Sequence, residues 1–250
     1  MSDIEKILTA FSSISLQEMD GVKLMDRTDK KFVFHAKQLA DVLRQLPPEY
    51  RVLKINDEIF NRYETLYFDT SDFQLYLDHH QGKATRYKVR SRKYVESALN
   101  FFEIKKKNNK GRTIKNRIPL PEIEKEIGSE STSFLAEKSP LEAAALQPKL
   151  WSNCTRITLV NTASKERLTI DINLHFKSEE KEVALPNIVI AELKQEKSAS
   201  SPFIQIMKKE RIRRGSISKY CMAVGLLFDA VKKNNFKKKI NLIHKINYAA

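Results

Sequence analysis

Several short segments of this chain place a charged side chain at every second position with apolar residues between, and most of those charges are cationic. The sets are Lys88, Arg90 and Arg92; Glu103, Lys105 and Lys107; Lys115 and Arg117; Arg167, Thr169 and Asp171; and Glu192, Lys194 and Glu196. A period of two is that of a β-strand, so each set marks one face of a sheet. Between Arg167 and Leu174 the other face is Leu168, Ile170, Ile172 and Leu174, apolar enough to pack on a core. Ordinary half-exposed strands mix Thr, Ser, Gln and both charge signs on the wet face. Here cations dominate.

If such strands lie side by side their Lys and Arg side chains converge. Two like charges about 6 Å apart at an effective dielectric near 20 repel by roughly 2–3 kcal/mol. A bound polyanion removes that repulsion. The interleaved Glu residues can pair with the cations or hold a divalent metal that bridges phosphate oxygens. The pattern predicts a polyphosphate-like ligand inside a β-structure, and removal of one such cation, Lys105 or Arg90, is expected to relieve repulsion in the empty site.

The 250 residues suffice for one large domain or two small ones. With 45 Lys+Arg against 31 Asp+Glu the formal charge is +14, which fits nucleic acid, an anionic membrane surface or a phosphorylated ligand without choosing among them. Cys154 and Cys221 have no metal-ligand spacing and read as thiols in a reducing compartment. Residues 1–11 carry Asp3 and Glu5 and no long apolar run, which argues against a signal peptide. The most apolar late stretch, 221–228, is far short of the ~20 residues of a spanning helix. A cytoplasmic protein with no transmembrane segment is expected.

Along the chain, Ile4, Ile7, Leu8 and Phe11 recur at helical spacing, and Leu39, Val42, Leu43 and Leu46 form a second helical stripe that Pro47 and Pro48 end. Strands are expected at 27–35, 62–69, 86–95, 100–107, 113–120, 155–161, 167–176 and 188–196, with a turn at Asn108–Gly111. A helical turn is expected around Phe73, Leu75 and Tyr76, broken helical stretches between Pro121 and Leu150, and closing helices at 202–214 and 218–231. The reading is one α+β domain, residues 1–231, on a meandering antiparallel sheet. Residues 232–250 form a basic tail, read first as a solvated end; the alternative is a surface helix making weak contact with acidic lipid or a partner.

Arg90 and Arg92 put two planar guanidinium forks on one strand face, suited to phosphate, although exposed Arg on an edge strand also guards against aggregation. Glu103-x-Lys105 and Glu192-x-Lys194 repeat one spacing in apolar runs, where charge is costly unless used or paired. Ser218 can cap a helix whose free amides and Lys219 make an anion site, the bland version being a cap beside an exposed Lys. There is no G-x-x-x-x-G-K-[ST], no G-x-G-x-x-G and no recognisable nucleophile elbow. His79 and His80 read as surface residues.

Taken in order, these segments resemble the VTC domain, the polyphosphate polymerase domain of the triphosphate tunnel metalloenzyme superfamily. The resemblance rests on Arg27-x-x-x-Lys31-Phe32, Leu66-Tyr67-Phe68-Asp69, Arg90-x-Arg92, Phe102-Glu103-x-Lys105, Lys115-x-Arg117, Arg156, Arg167-x-x-x-Asp171, Glu192-x-Lys194 and Ser218-Lys219-Tyr220. It spans roughly residues 20 to 230. It implies a closed eight-stranded antiparallel β tunnel with flanking helices and a triphosphate in its lumen. It also implies Lys31, Arg90, Arg92, Lys105, Lys115, Arg117, Arg167 and Lys219 as phosphate ligands, with Ser218 as a contact at the helix end. Glu192 is the implied metal ligand; Glu103, Asp171 and Lys194 are second members of the site. One departure is Ser216, where family enzymes often carry a further cation.

The expected activity is metal-dependent phosphoryl transfer from a nucleoside triphosphate to inorganic polyphosphate, with Lys105, Arg90, Arg92 and Lys194 at the reacting group and Mn2+ or Mg2+ as cofactor. The same site with water as nucleophile would make a tripolyphosphatase or nucleoside triphosphatase. A non-catalytic polyphosphate or nucleotide sensor is the alternative from another class. A specific nucleic-acid partner is not expected, because the cations alternate with packed apolar residues rather than exposed aromatics.

Overall fold

A computed structural model describes residues 3–20, 27–196 and 200–248. Twelve strands among them form one sheet: β1 (Ser13–Ile14), β2 (Arg27–His35), β3 (Tyr50–Leu53), β4 (Asn61–Asp69), β5 (Arg86–Tyr94), β6 (Leu99–Lys107), β7 (Thr113–Leu120), β8 (Gln147–Asn161), β9 (Glu166–Lys177), β10 (Glu182–Leu185), β11 (Ile188–Glu196) and β12 (Arg214–Gly215). The helices are α1 (Asp3–Thr9), α2 (Leu16–Asp20), α3 (Leu39–Arg44), α4 (Gln74–His80), α5 (Ser129–Lys138), α6 (Pro202–Lys209), α7 (Lys219–Leu227) and α8 (Lys237–Asn247). The backbone of the described Arg27 opens β2, while the residues just before it, 21–26, lie outside the described set.

The main path runs β12-β2-β11-β9-β8-β4-β5-β6-β7, and its neighbours pair antiparallel throughout. Eight of its strands are long; β12 is a two-residue strip. The expectation of a closed eight-stranded tunnel is corrected here, because β7 and β12 are the two ends of an open path and β1, β3 and β10 pair off it. The sheet nevertheless curls. Lys31 on β2 donates to the Ile217 carbonyl at 3.3 Å, and Ile217 lines one cavity with Lys88 on β5 and Lys105 on β6, although four strands separate β2 from β5 along the path.

Alternation sorts the two faces. The outward residues of β2, β8, β9 and β11, such as Phe32, Phe34, Ile157, Leu168, Ile170 and Ala191, pack in one core with Leu8, Val42, Leu43 and Phe203 from α1, α3 and α6. Leu66, Phe68, Val89, Phe102 and Ile104 pack with Leu135 of α5 in a second. Helix α7 is buried from Tyr220 to Leu227, the signature of a helix enclosed on all sides. It packs against Tyr67, Cys154 and Ile190, residues on the charged face, so it fills part of the concave side and leaves its N-terminus among the cations.

Three local expectations change. Strand β8 starts at Gln147, so Pro148 lies near a strand's first residue, where a missing N–H is tolerated, rather than ending a helix. The tail is no solvated end: Ile243 of α8 is 1% exposed, Asn187 donates to the Asn247 backbone at 2.8 Å, and Tyr76 Oη donates to the Lys232 carbonyl at 2.7 Å. The reading of His79 and His80 as surface residues is corrected: His79 is half-buried and His80 buried. His80 Nε2 accepts from the Asn235 amide, and His79 takes a bond from Arg86 at 3.1 Å.

Candidate functional site: a cationic concave face

Three carboxylates organise the concave face, each between two cations. Register places Glu103 on β6 opposite Arg90 on β5 and Arg117 on β7. Arg90 Nε donates to Glu103 at 2.6 Å, and Lys115 pairs with the same carboxylate. Burial opposes the charge of Glu103, but Arg90, Arg92 and Lys115 outweigh it and hold the carboxyl far below its usual range. Asp171 on β9 stands opposite Arg156 on β8. That guanidinium grips it with two bonds, 2.6 and 2.8 Å, and Lys219 adds a third at 2.6 Å. The third carboxylate, Glu192 on β11, stands opposite Lys31 and takes Lys194 at 3.0 Å and Lys31 at 3.8 Å. Burial again opposes its charge and the two lysines override it.

Cations exceed these partners. Lys88, Lys105 and Lys115 stand abreast across β5, β6 and β7. Lys115 has Glu103; Lys88 and Lys105 have no ion pair among the described residues. Burial, then Lys88, Arg90 and Lys31, push the Lys105 amine down to about 7. Arg90 also donates to Tyr67 Oη at 3.2 Å, and Arg92 to Thr65 at 3.0 Å. Arg117 is exposed with its guanidinium 4.2 Å from the Phe101 ring centre. Arg167 is half-buried opposite Lys194. The Ser218 hydroxyl caps α7 by accepting from the Cys221 amide.

The structure thus gathers Lys31, Arg90, Lys115, Lys194 and Lys219 with Glu103, Asp171 and Glu192 into three clusters beside Lys105, while Arg92 bonds to Thr65, Arg167 stands opposite Lys194, and Arg117 and Ser218 are engaged in stacking and capping. Sequence reasoning left Lys88, Arg156 and Tyr67 out of the site. Lys88 carried the signal, being in phase with Arg90 and Arg92. The role of Arg156 needed the register that sets it opposite Asp171.

The three carboxylates differ in how firmly the cations hold them. No group of three His, Cys, Asp or Glu side chains among the described residues could hold an ion. Glu103 and Asp171 are tightly held by cations, whereas the Glu192 side chain is 18% exposed and its Lys31 contact is long. Mg2+ is commonly bound by one or two carboxylates together with substrate phosphates and water, so Glu192 fits an ion that arrives with the phosphates.

A sequence model of the VTC domain matches residues 26–228. The chain belongs to the VTC domain family. This family has a tunnel-type fold and handles phosphoryl groups. No curated protein matches the chain. Among solved structures, a candidate adenylate cyclase from Bacillus halodurans is 17% identical with a TM-score of 0.50, covering 82% of this chain and 100% of its own; it supports the fold. A candidate adenylyl cyclase from Hippeastrum, described as having a dominant triphosphatase activity, is 14% identical with a TM-score of 0.47, covering 81% of this VTC domain chain and 98% of its own. No helix among the described residues is long and apolar enough to cross a membrane.

Proposed function

We propose that this VTC domain is a polyphosphate polymerase, transferring the terminal phosphoryl group of a nucleoside triphosphate to the end of a polyphosphate chain. The observation that carries the reading is the row of Lys88, Lys105 and Lys115 beside Arg90 and Arg92, in which two lysines have no carboxylate partner among the described residues. Half-buried like charges are costly without a counter-charge, and a run of phosphates supplies one at each position. Lys105, Arg90, Arg92 and Lys194 are assigned to the transferred group; Lys31, Lys115, Arg117, Arg167, Ser218 and Lys219 to the flanking phosphates.

In the transfer a P–O bond forms from the terminal oxygen of the chain to the γ-phosphorus while the β–γ bridge breaks, releasing the nucleoside diphosphate. The attacking phosphate is already ionised near neutral pH, so no general base is required. The protein positions both phosphates in line and neutralises the charge that spreads over the transferred group. Mn2+ or Mg2+, held by Glu192 with phosphate oxygens, would supply further charge neutralisation. Hydrolysis asks for a carboxylate free to orient water. Glu103, the candidate for that role, is enclosed by Arg90 and Lys115, which favours transfer to a phosphate.

The test is incubation of purified protein with ATP and Mn2+ or Mg2+, separating long polyphosphate from free phosphate. Long polyphosphate with stoichiometric ADP is expected. Free phosphate alone would replace the polymerase by a hydrolase, and tight tripolyphosphate binding with no turnover would replace it by a sensor. Duplex DNA should bind only weakly and salt-sensitively, since a curled sheet admits a slender chain and not a duplex.

A further inference from the structure

A cavity of about 240 Å3 lies at the edge of the cationic row. The sheet lines it with Arg86 and Lys88 from β5 and Lys105 and Lys107 from β6. Facing these cations is an apolar stretch, Ile217 and Met222 at α7, then Phe236 and Ile240 around α8 with the buried Ile243 behind them, and Lys239, His79 and Cys221 join the lining. The hydroxyl-bearing Thr113, Ser216 and Ser218 also line it.

We propose that this cavity seats the nucleoside of the triphosphate, its base against the partly exposed Phe236 and Ile240 and its phosphates passing to Lys88 and Lys105. The inference rests on the function proposed above and names the substrate end that enters here. Inorganic polyphosphate has no apolar part, so a passage for phosphate alone gains nothing from five apolar side chains. An acyl chain would need a longer apolar channel and no hydroxyls. A nucleobase has an apolar face and a polar edge, and apolar walls with a few hydroxyls are the ordinary lining for such a group. Helix α8 begins at Lys237, beyond residue 228 where the family match ends. Recognition of the nucleoside is therefore assigned in part to a helix outside the matched region.

The test measures binding of ATP and of tripolyphosphate by calorimetry without divalent metal, in the full chain and in two variants. Ile240→Ser removes apolar wall, and Ser216→Trp fills the cavity from an exposed position without removing core packing. Both variants are expected to lose about tenfold in ATP affinity and less than about twofold in tripolyphosphate affinity, the scale of a lost apolar contact. Equal losses for the two ligands, or unchanged ATP affinity in both variants, would overturn the seat alone. Failure of the unaltered protein to bind either ligand would overturn the phosphate-tunnel reading along with it.

Discussion

Lys219, the first residue of α7, lies 2.6 Å from Asp171 on β9, and the same carboxylate takes two bonds from Arg156 on β8. One acidic side chain thereby joins the buried helix to two central strands. The Asp171 carboxyl is held far below its usual range because these two cations outweigh the cost of its burial.

Asp171→Asn is expected to strand Arg156 and Lys219 without a counter-charge and to destabilise the empty protein by about 3–5 kcal/mol. Urea unfolding measures this. Saturating tripolyphosphate restores negative charge beside both cations, so its rise in Tm should be larger in the variant than in the parent. An equal rise would place these cations outside the ligand's reach.

Lys105→Ala and Arg90→Ala should both abolish most turnover but differ in stability. Lys105 has no ion pair among the described residues and crowds Lys88 and Arg90, so its loss should leave Tm unchanged or higher without ligand. Arg90 is different. Its removal leaves buried Glu103 with one cation fewer, a change that destabilises, and the expectation that deleting any concave-face cation relieves repulsion is corrected for this residue. Scanning calorimetry of both variants separates the outcomes.

Phosphate binding should take up protons above neutral pH. The Lys105 amine falls to about 7 in the empty protein, against about 10.4 for an unperturbed lysine. A bound phosphate returns it toward the ordinary value, so tripolyphosphate affinity should fall as pH rises beyond 7. In the absence of ligand the folded chain binds fewer protons at this lysine than the unfolded chain between pH 7 and about 10.4, so the contribution of Lys105 to stability rises with pH there. Calorimetric titration at pH 8 in buffers of different ionisation enthalpy measures the uptake, which Lys105→Gln should reduce.

Glu192→Gln should remove most metal-dependent turnover while tripolyphosphate affinity without metal stays equal or tightens. The amide keeps the size and one acceptor oxygen but loses the charge that a hard cation prefers. Turnover across a Mn2+ titration checks it; unchanged metal dependence would move the ion to Glu103 or Asp171.

The strands carrying alternating charge could be read from the chain because side-chain direction in a strand depends only on parity, and burial on one face enforces it. Strands β2 and β11 occur at the expected residues, and the turn before β7 is made at Gly111 with φ of 75°, as its sequence demands. Parity also selected Lys105, Glu103 and Glu192. It could not say which cation faces which carboxylate. That Arg156 meets Asp171, that Arg90 and Lys115 share Glu103, and that Lys88 joins Lys105 depend on register and on curling, set by packing between residues far apart in sequence. The basic segment after residue 231 shows the same limit. Its charges predict solvent, but Ile240, Ile243 and Ile246 lie at helical spacing, and only the surface offered by α7 and the sheet makes their burial favourable.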